Sequence, residues 1–234
     1  MGLAGHVTVL IPAAGEGSRL GGRRKQFRLL GGRPVLVQTL MVFERNPDVR
    51  TIIVATPAEA VNPLRDELRA VGVSKLFMVV PGGDTRQASV GAALSVVPEE
   101  TDVILVHDAV RPFVPQELLA GVIKTARASG AASLAVPISD SIRKSDGAIF
   151  AESVDRENLY RMQTPQGFRT AWLQQAHIQA ESENFFANDD VELVQRAGFD
   201  VQLVPGSPLN EKITTQEDWD RAVRFWSSWE SSYI

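Results

Sequence analysis

Five short apolar runs, at about residues 7–12, 50–55, 75–80, 102–107 and 131–137, recur along the chain with longer amphipathic stretches between them. The runs TIIVA, LFMVV, DVILV and SLAVP are continuous rather than alternating, as in parallel strands covered by helices on both faces. Pro34 can open a helix through VLVQTLMVFERN, and residues 58–71, 85–97 and 115–129 supply the next crossovers. This is the rhythm of stacked βαβ units. It predicts an α/β fold on a doubly wound, mostly parallel, Rossmann-like sheet, with 1–234 as a single domain.

The rhythm breaks after Pro137. Residues 139–163 are mostly polar, and Asp146-Gly147 between IRK and AIF reads as a hairpin turn. Such a hairpin has too small an apolar face to stand alone. Residues 139–163 are therefore expected to protrude as a β-arm and pack on a second subunit or over the chain's own site. Helical pattern resumes at 170–183 and 189–197, DVQLVPG reads as a late strand, and 215–229 as a terminal helix. Trp219, Trp226 and Trp229 on that helix read as packing residues.

Composition narrows the function classes. With 44% hydrophobic residues in 234, the chain can bury a sizeable core. The absence of cysteine excludes disulfides, thiolate zinc sites and cysteine nucleophiles. A formal net charge of −4 gives no general affinity for nucleic acid or anionic membranes. No apolar run approaches the roughly 18 residues of a membrane span, and MGLAGHVTVLIPAAG lacks the layout of a signal peptide. The opening Met-Gly is not a myristoylation signal, because His6 stands where that motif needs a hydroxyl. A cytoplasmic location is expected.

Against that acidic background, Arg19, Arg23, Arg24, Lys25 and Arg28 form one basic segment, inside the loop that follows the first apolar run. Gly15, Gly17, Gly21 and Gly22 let backbone N–H groups of this loop approach phosphate oxygens closely, the layout of a polyphosphate cradle. It is neither of two better-known phosphate loops. Leu20 occupies the third glycine position of a dinucleotide fingerprint, and Arg23-Arg24 stands where a P-loop needs Lys followed by Ser or Thr.

In open α/β sheets ligands bind beyond the carboxyl ends of the strands. Three further polar segments stand at such ends: Pro81 to Ser89, His107 to Pro112, and Asn210 to Thr214. Asp108 can bind magnesium or cap a turn. Arg111 and Arg156 can clamp a phosphate or make ion pairs, and His107 reads as packed or hydrogen-bonded. No H-E-x-x-H, nucleophile elbow or histidine cluster is present. Cations and backbone donors suit phosphoryl-type chemistry, where positioning and charge neutralisation supply most of the catalysis.

In order along the chain, PAAGEGSRLGGRRKQF, PGGDTRQASV, VHDAVRPFV, VDRENLYRMQTPQGF and NEKITTQEDW resemble the motifs of the 2-C-methyl-D-erythritol 4-phosphate cytidylyltransferase family. The resemblance implies a nucleotidyltransferase of the non-mevalonate isoprenoid pathway. It would use CTP, magnesium and a sugar-alcohol phosphate, as a homodimer joined through the 139–163 arm. It implies catalytic roles for Arg19, Lys25 and Lys212, and cytidine-nucleotide contacts at Ala13, Ala14, Gly15, Gly17, Gly83, Asp84 and Ser89. Asp108 would serve both metal and substrate, and Arg111, Ser141, Arg156, Thr164, Asn188 and Lys212 the second substrate, with Ser141 and Arg156 reaching the partner's site. Relatives acting on ribitol 5-phosphate, and a non-catalytic nucleotide-binding protein of the same fold, are the alternatives. Three departures stand out: Arg24 replaces the family's usual proline, Ser141 a threonine, and Asn188 another threonine.

Overall fold

The computed structural model describes residues 5–15 and 25–233. Strand β1 (His6–Pro12) is followed by a short hairpin of β2 (Leu29–Leu30) and β3 (Arg33–Pro34), then by α1 (Val35–Glu44), with Pro34 at its N-cap. Next come β4 (Val49–Thr56), α2 (Val61–Ala70), β5 (Leu76–Pro81), α3 (Arg86–Leu94), β6 (Thr101–Val106), α4 (Gln116–Ser129) and β7 (Ala131–Pro137). The remaining elements are β8 (Ile142–Asp146), β9 (Ile149–Val154), β10 (Tyr160–Arg169), α5 (Thr170–Ser182), α6 (Asp190–Arg196), β11 (Gln202–Pro205) and α7 (Gln216–Tyr233).

Seven strands form one sheet in the order β11-β7-β10-β6-β1-β4-β5. The chain winds outward from β1 through β4 to β5, then crosses by α3 to β6 on the other side of β1. That makes the gap between β1 and β6 a topological switch point, where an open α/β sheet leaves a crevice. Continuous apolar strands are explained by cover on both faces. Val7, Val9 and Ile11 of β1 pack with α1, α2 and α4, while Leu10 joins the layer of α3, α5 and α6. The three tryptophans of α7 are buried with Leu30, Val35 and Phe113 in a third cluster, as packing residues.

The expected strands lie within about a residue of their positions in the apolar pattern, but Tyr160–Arg169 departs from the sequence reading. Residues 160–163, assigned there to the arm, begin β10, which runs antiparallel between β6 and β7. This strand escapes a hydrophobic-pattern reading because its buried stretch includes Gln163, Thr164 and Gln166 around Pro165. Pairing with β7 is irregular between Met162 and Gln166, where the Thr164–Pro165 peptide is cis. The arm itself is the β8–β9 hairpin, with Asp146 opposite Ile149 and the two-residue turn therefore at Gly147-Ala148.

Candidate active site

Three loops converge at the carboxyl ends of β1, β5 and β6 around a cavity of about 310 Å³. Ala13, Ala14 and Gly15 follow β1, Gly83 to Arg86 follow β5 with Ser89 one turn into α3, and Asp108 to Val110 follow β6. Lys25 and Gln26, from the turn after the glycine loop, and Lys212, from the loop before α7, complete the lining. Gly17 and Arg19 lie outside the described residues, as do Gly21, Gly22, Arg23 and Arg24.

The first two loops are fitted together by small residues. A Cβ on Gly82 would stand 2.6 Å from the Ala14 Cβ and 2.8 Å from Ser89 Oγ, so only glycine lets these segments approach. Thr85 caps α3 by accepting from Ala88 N–H, and Ser89 Oγ donates to Thr85 O at 2.9 Å. Gln26, 3% exposed, donates to Ala13 O at 2.9 Å and to Gly15 O at 3.2 Å, fixing the described end of the glycine-rich loop. Only its place beside Lys25 marks it in the sequence.

Asp108 is the electrostatic centre. Its Oδ2 meets Arg111 Nε at 3.0 Å and Lys212 Nζ at 3.1 Å, and its Oδ1 meets Arg86 Nε at 3.3 Å. Burial alone would push this carboxyl up, but Lys212, Arg86 and Arg111 hold it well below the ordinary carboxylate range. Arg86 also reaches the fully buried Asp190 at 2.6 Å. Burial works against its charge, yet Asp190 and Asp108 outweigh that and hold the guanidinium above its ordinary range. Both carboxylates are thus ionised, Asp108 among three cations and Asp190 against Arg86.

Behind Asp108 stands a directed hydrogen-bond chain. The carbonyl of Arg111 can only accept, so His107 Nε2 carries the proton and donates to it at 3.0 Å. Nδ1 then accepts from Thr164 Oγ1 at 2.9 Å, and Thr164 Oγ1 accepts from Asp108 N–H at 3.1 Å. Burial pushes His107 down to about 4 from 6.5, keeping the ring neutral. Because the folded value is the lower one, stability is full above pH 6.5 and declines as pH falls towards 4, by up to about 3 kcal/mol. Urea unfolding should show this decline, and His107→Gln should abolish it; the same slope in the variant would assign it to another group. Asp108 and Asp190 titrate below that window and do not obscure it.

Residues 7–226 match the family model described as IspD: 2-C-methyl-D-erythritol 4-phosphate cytidylyltransferase. The chain belongs to the IspD family. It is 52% identical over 223 residues to the 2-C-methyl-D-erythritol 4-phosphate cytidylyltransferase of Salinibacter ruber, covering 95% of this chain and 94% of that protein. It is 43% identical over 224 residues to the one from Geobacter metallireducens, covering 94% and 97%. The crystal structure of the enzyme of that name from Thermus thermophilus aligns with a TM-score of 0.82 at 37% identity, over 95% of this chain and 99% of that one.

The described residues expected from IspD motifs divide into three groups, Gly17 and Arg19 lying outside them. Ala13, Ala14, Gly15, Lys25, Gly83, Asp84, Ser89, Asp108 and Lys212 line one cavity. Arg111 and Thr164, 8% and 4% exposed, stand behind Asp108, with Arg111 Nη1 also bonded to Asn210 O at 2.8 Å. Ser141 and Arg156 are exposed on or beside the arm, where Arg156 Nη1 donates to Ser139 O; neither lines the cavity. Asn188 is exposed as well, its N–H and Nδ2 both bonded to Glu192 Oε2, at 2.7 and 3.1 Å. The Arg86–Asp190 pair was not legible, because it joins residues 104 positions apart.

Asp108 offers a metal one carboxylate whose two oxygens already meet three cations, and among the described residues no group of three His, Cys, Asp or Glu could hold a metal ion. The donor set fits magnesium only as an ion shared with substrate phosphates.

Proposed function

We propose that this site transfers a cytidylyl group from CTP to 2-C-methyl-D-erythritol 4-phosphate, giving the cytidine diphosphate ester and pyrophosphate, in the non-mevalonate route to isoprenoids. The observation that carries the reading is the Asp108 cluster, which holds Lys212 in the same cavity as Lys25 and the Ala13–Gly15 and Gly83–Asp84 backbone. Small residues at Ala13, Ala14, Gly83 and Ser89 suit a pyrimidine ring, and the loop from Gly15 through Gly17 and Arg19 to Lys25 suits the triphosphate.

An oxygen of the polyol phosphate attacks the α-phosphorus of CTP in line; a P–O bond forms as the bond to the α–β bridging oxygen breaks, and pyrophosphate leaves. Lys25 and Lys212 bring two polyanions together and neutralise charge on the pentacoordinate α-phosphate. Asp108 aims Lys212, and Arg111 supports Asp108 from behind. Asp108 would hold magnesium together with the substrate phosphates, and the ion would supply further neutralisation of the leaving pyrophosphate.

In the same reading the protein is a cytoplasmic homodimer, where its nucleotide substrate is available. Among the described residues no helix is long and apolar enough to cross a membrane. The arm exposes Ile149 and Phe150, 75% and 80% accessible, an apolar tip suited to a second copy. Ser141 and Arg156 would then complete the partner's site. Mixing Arg156→Ala with Lys25→Ala subunits should restore activity, since one hybrid site keeps both groups; mixtures as inactive as their parents would exclude shared sites.

Pyrophosphate release with CTP and magnesium tests the function itself. Methylerythritol phosphate should be the better acceptor, by at least about tenfold, the discrimination that one or two hydrogen bonds to a polyol supply. A higher rate with ribitol 5-phosphate would reassign the substrate, and nucleotide binding without turnover on either would remove the enzymatic reading.

A further inference from the structure

The segment carrying Lys212, between β11 and α7, contains neither helix nor strand. Its backbone must therefore be placed by individual bonds. Gln163, 6% exposed on β10, commits its whole carboxamide to this loop. Nε2 donates to Ser207 O at 2.8 Å and to Asn210 O at 3.1 Å, and Oε1 accepts from Ser207 N–H at 3.2 Å. Asn210, fully buried, returns a bond from Nδ2 to Thr164 O at 2.7 Å. On the far side of Lys212, Ile213 N–H donates to Val110 O at 3.0 Å and the side chain is buried. Lys212 thus lies between two fixed points, with its ammonium on Asp108.

We propose that Gln163 is a positioning residue for Lys212, acting through Asn210: the amide fixes the loop at the height from which the ammonium reaches the reacting phosphate. The proposal rests on the reading of Lys212 as catalytic. An amide is required because the loop presents two carbonyls and one N–H together. A glutamate of the same shape keeps the acceptor but turns a carboxylate against the carbonyls of Ser207 and Asn210. Once protonated, it regains one donor. Gly206 belongs to the same device, since a Cβ there would lie 2.3 Å from Gln163 Oε1 and displace the amide while leaving its chemistry intact.

The test is a double-mutant cycle on the full-length enzyme, with kcat and the KM for CTP measured from pH 6 to 9 for Gln163→Glu, Lys212→Ala and the pair. Gln163→Glu should lower kcat about 10- to 100-fold at pH 8 with KM changed less than about threefold, because the interaction lost is made in the transition state. Its activity relative to wild type should recover towards pH 6. In the Lys212→Ala background the further loss should be under about threefold, as for two residues acting as one unit. Gly206→Ala should reproduce both the kcat loss and its non-additivity, which keeps the test available if Gln163→Glu does not fold. Wild-type kcat in Gln163→Glu, or the same fold loss with and without Lys212, would overturn the positioning role. Full activity in Lys212→Ala would instead remove the catalytic reading, and the proposal with it.

Discussion

Lys212→Ala should lower kcat by about 10²-fold or more, the scale of removing one preorganised charge donor, while leaving the melting temperature within about 3 °C of wild type. The asymmetry follows from where the lysine sits. Its side chain is 37% exposed at the cavity, and its partner Asp108 keeps Arg111 and Arg86 when the ammonium is gone. The buried carboxylate stays compensated, so the fold loses little, but the cavity loses its cation nearest Asp108 on the loop before α7. Lys212→Arg should recover only part of the rate, because a planar fork does not present the compact charge of an ammonium. Steady-state kinetics beside thermal melts decide the point, and parallel losses of rate and stability would make the lysine structural.

Asp108→Asn should behave differently, losing both. The amide keeps the shape but leaves Arg86, Arg111 and Lys212 facing a neutral group in a buried setting. Breaking a buried ion pair by removing one partner costs about 3–5 kcal/mol, which in a chain of this size lowers the melting temperature by roughly 6–20 °C. Lys212 then loses the carboxylate that holds its ammonium over the cavity, and kcat should fall at least as far as in Lys212→Ala. Retained stability with lost activity would mean that Asp108 acts on substrate or metal alone. Retained activity would remove it from the site altogether.

Much of this arrangement was legible beforehand for one reason. Parallel strands buried on both faces write themselves as continuous apolar runs, and the polar residues directly after such runs fall on the ligand-binding edge. Gly15, Gly83 to Arg86, Ser89 and Asp108 stand at such ends, Ala13 and Ala14 came only with the resemblance to IspD motifs, and the structure gathers all of these around one cavity. Strand β10 was not legible, because its buried positions include Gln163, Thr164 and Gln166, whose side chains bond to neighbouring loops or to His107. Pattern reading treats buried amides as solvent-facing. The same blindness hid the Arg86–Asp190 and Gln163–Asn210 contacts, which exist only through tertiary packing. Thr164 shows the limit of carrying roles by motif: its buried hydroxyl sits between His107 and the Asp108 backbone N–H, which makes it a support of the Asp108 loop and leaves it off the cavity lining.

The central claim, that the Asp108 cluster and the Lys25 turn aim two ammonium groups at one phosphorus, is tested most directly by a crystal structure with magnesium and a non-hydrolysable CTP analogue. Lys25 and Lys212 Nζ should both lie about 2.7–3.2 Å from oxygens of the α-phosphate, with the base over Ala13, Ala14 and Gly83. An α-phosphate bound out of reach of Lys212, with the triphosphate elsewhere on the sheet, would contradict it.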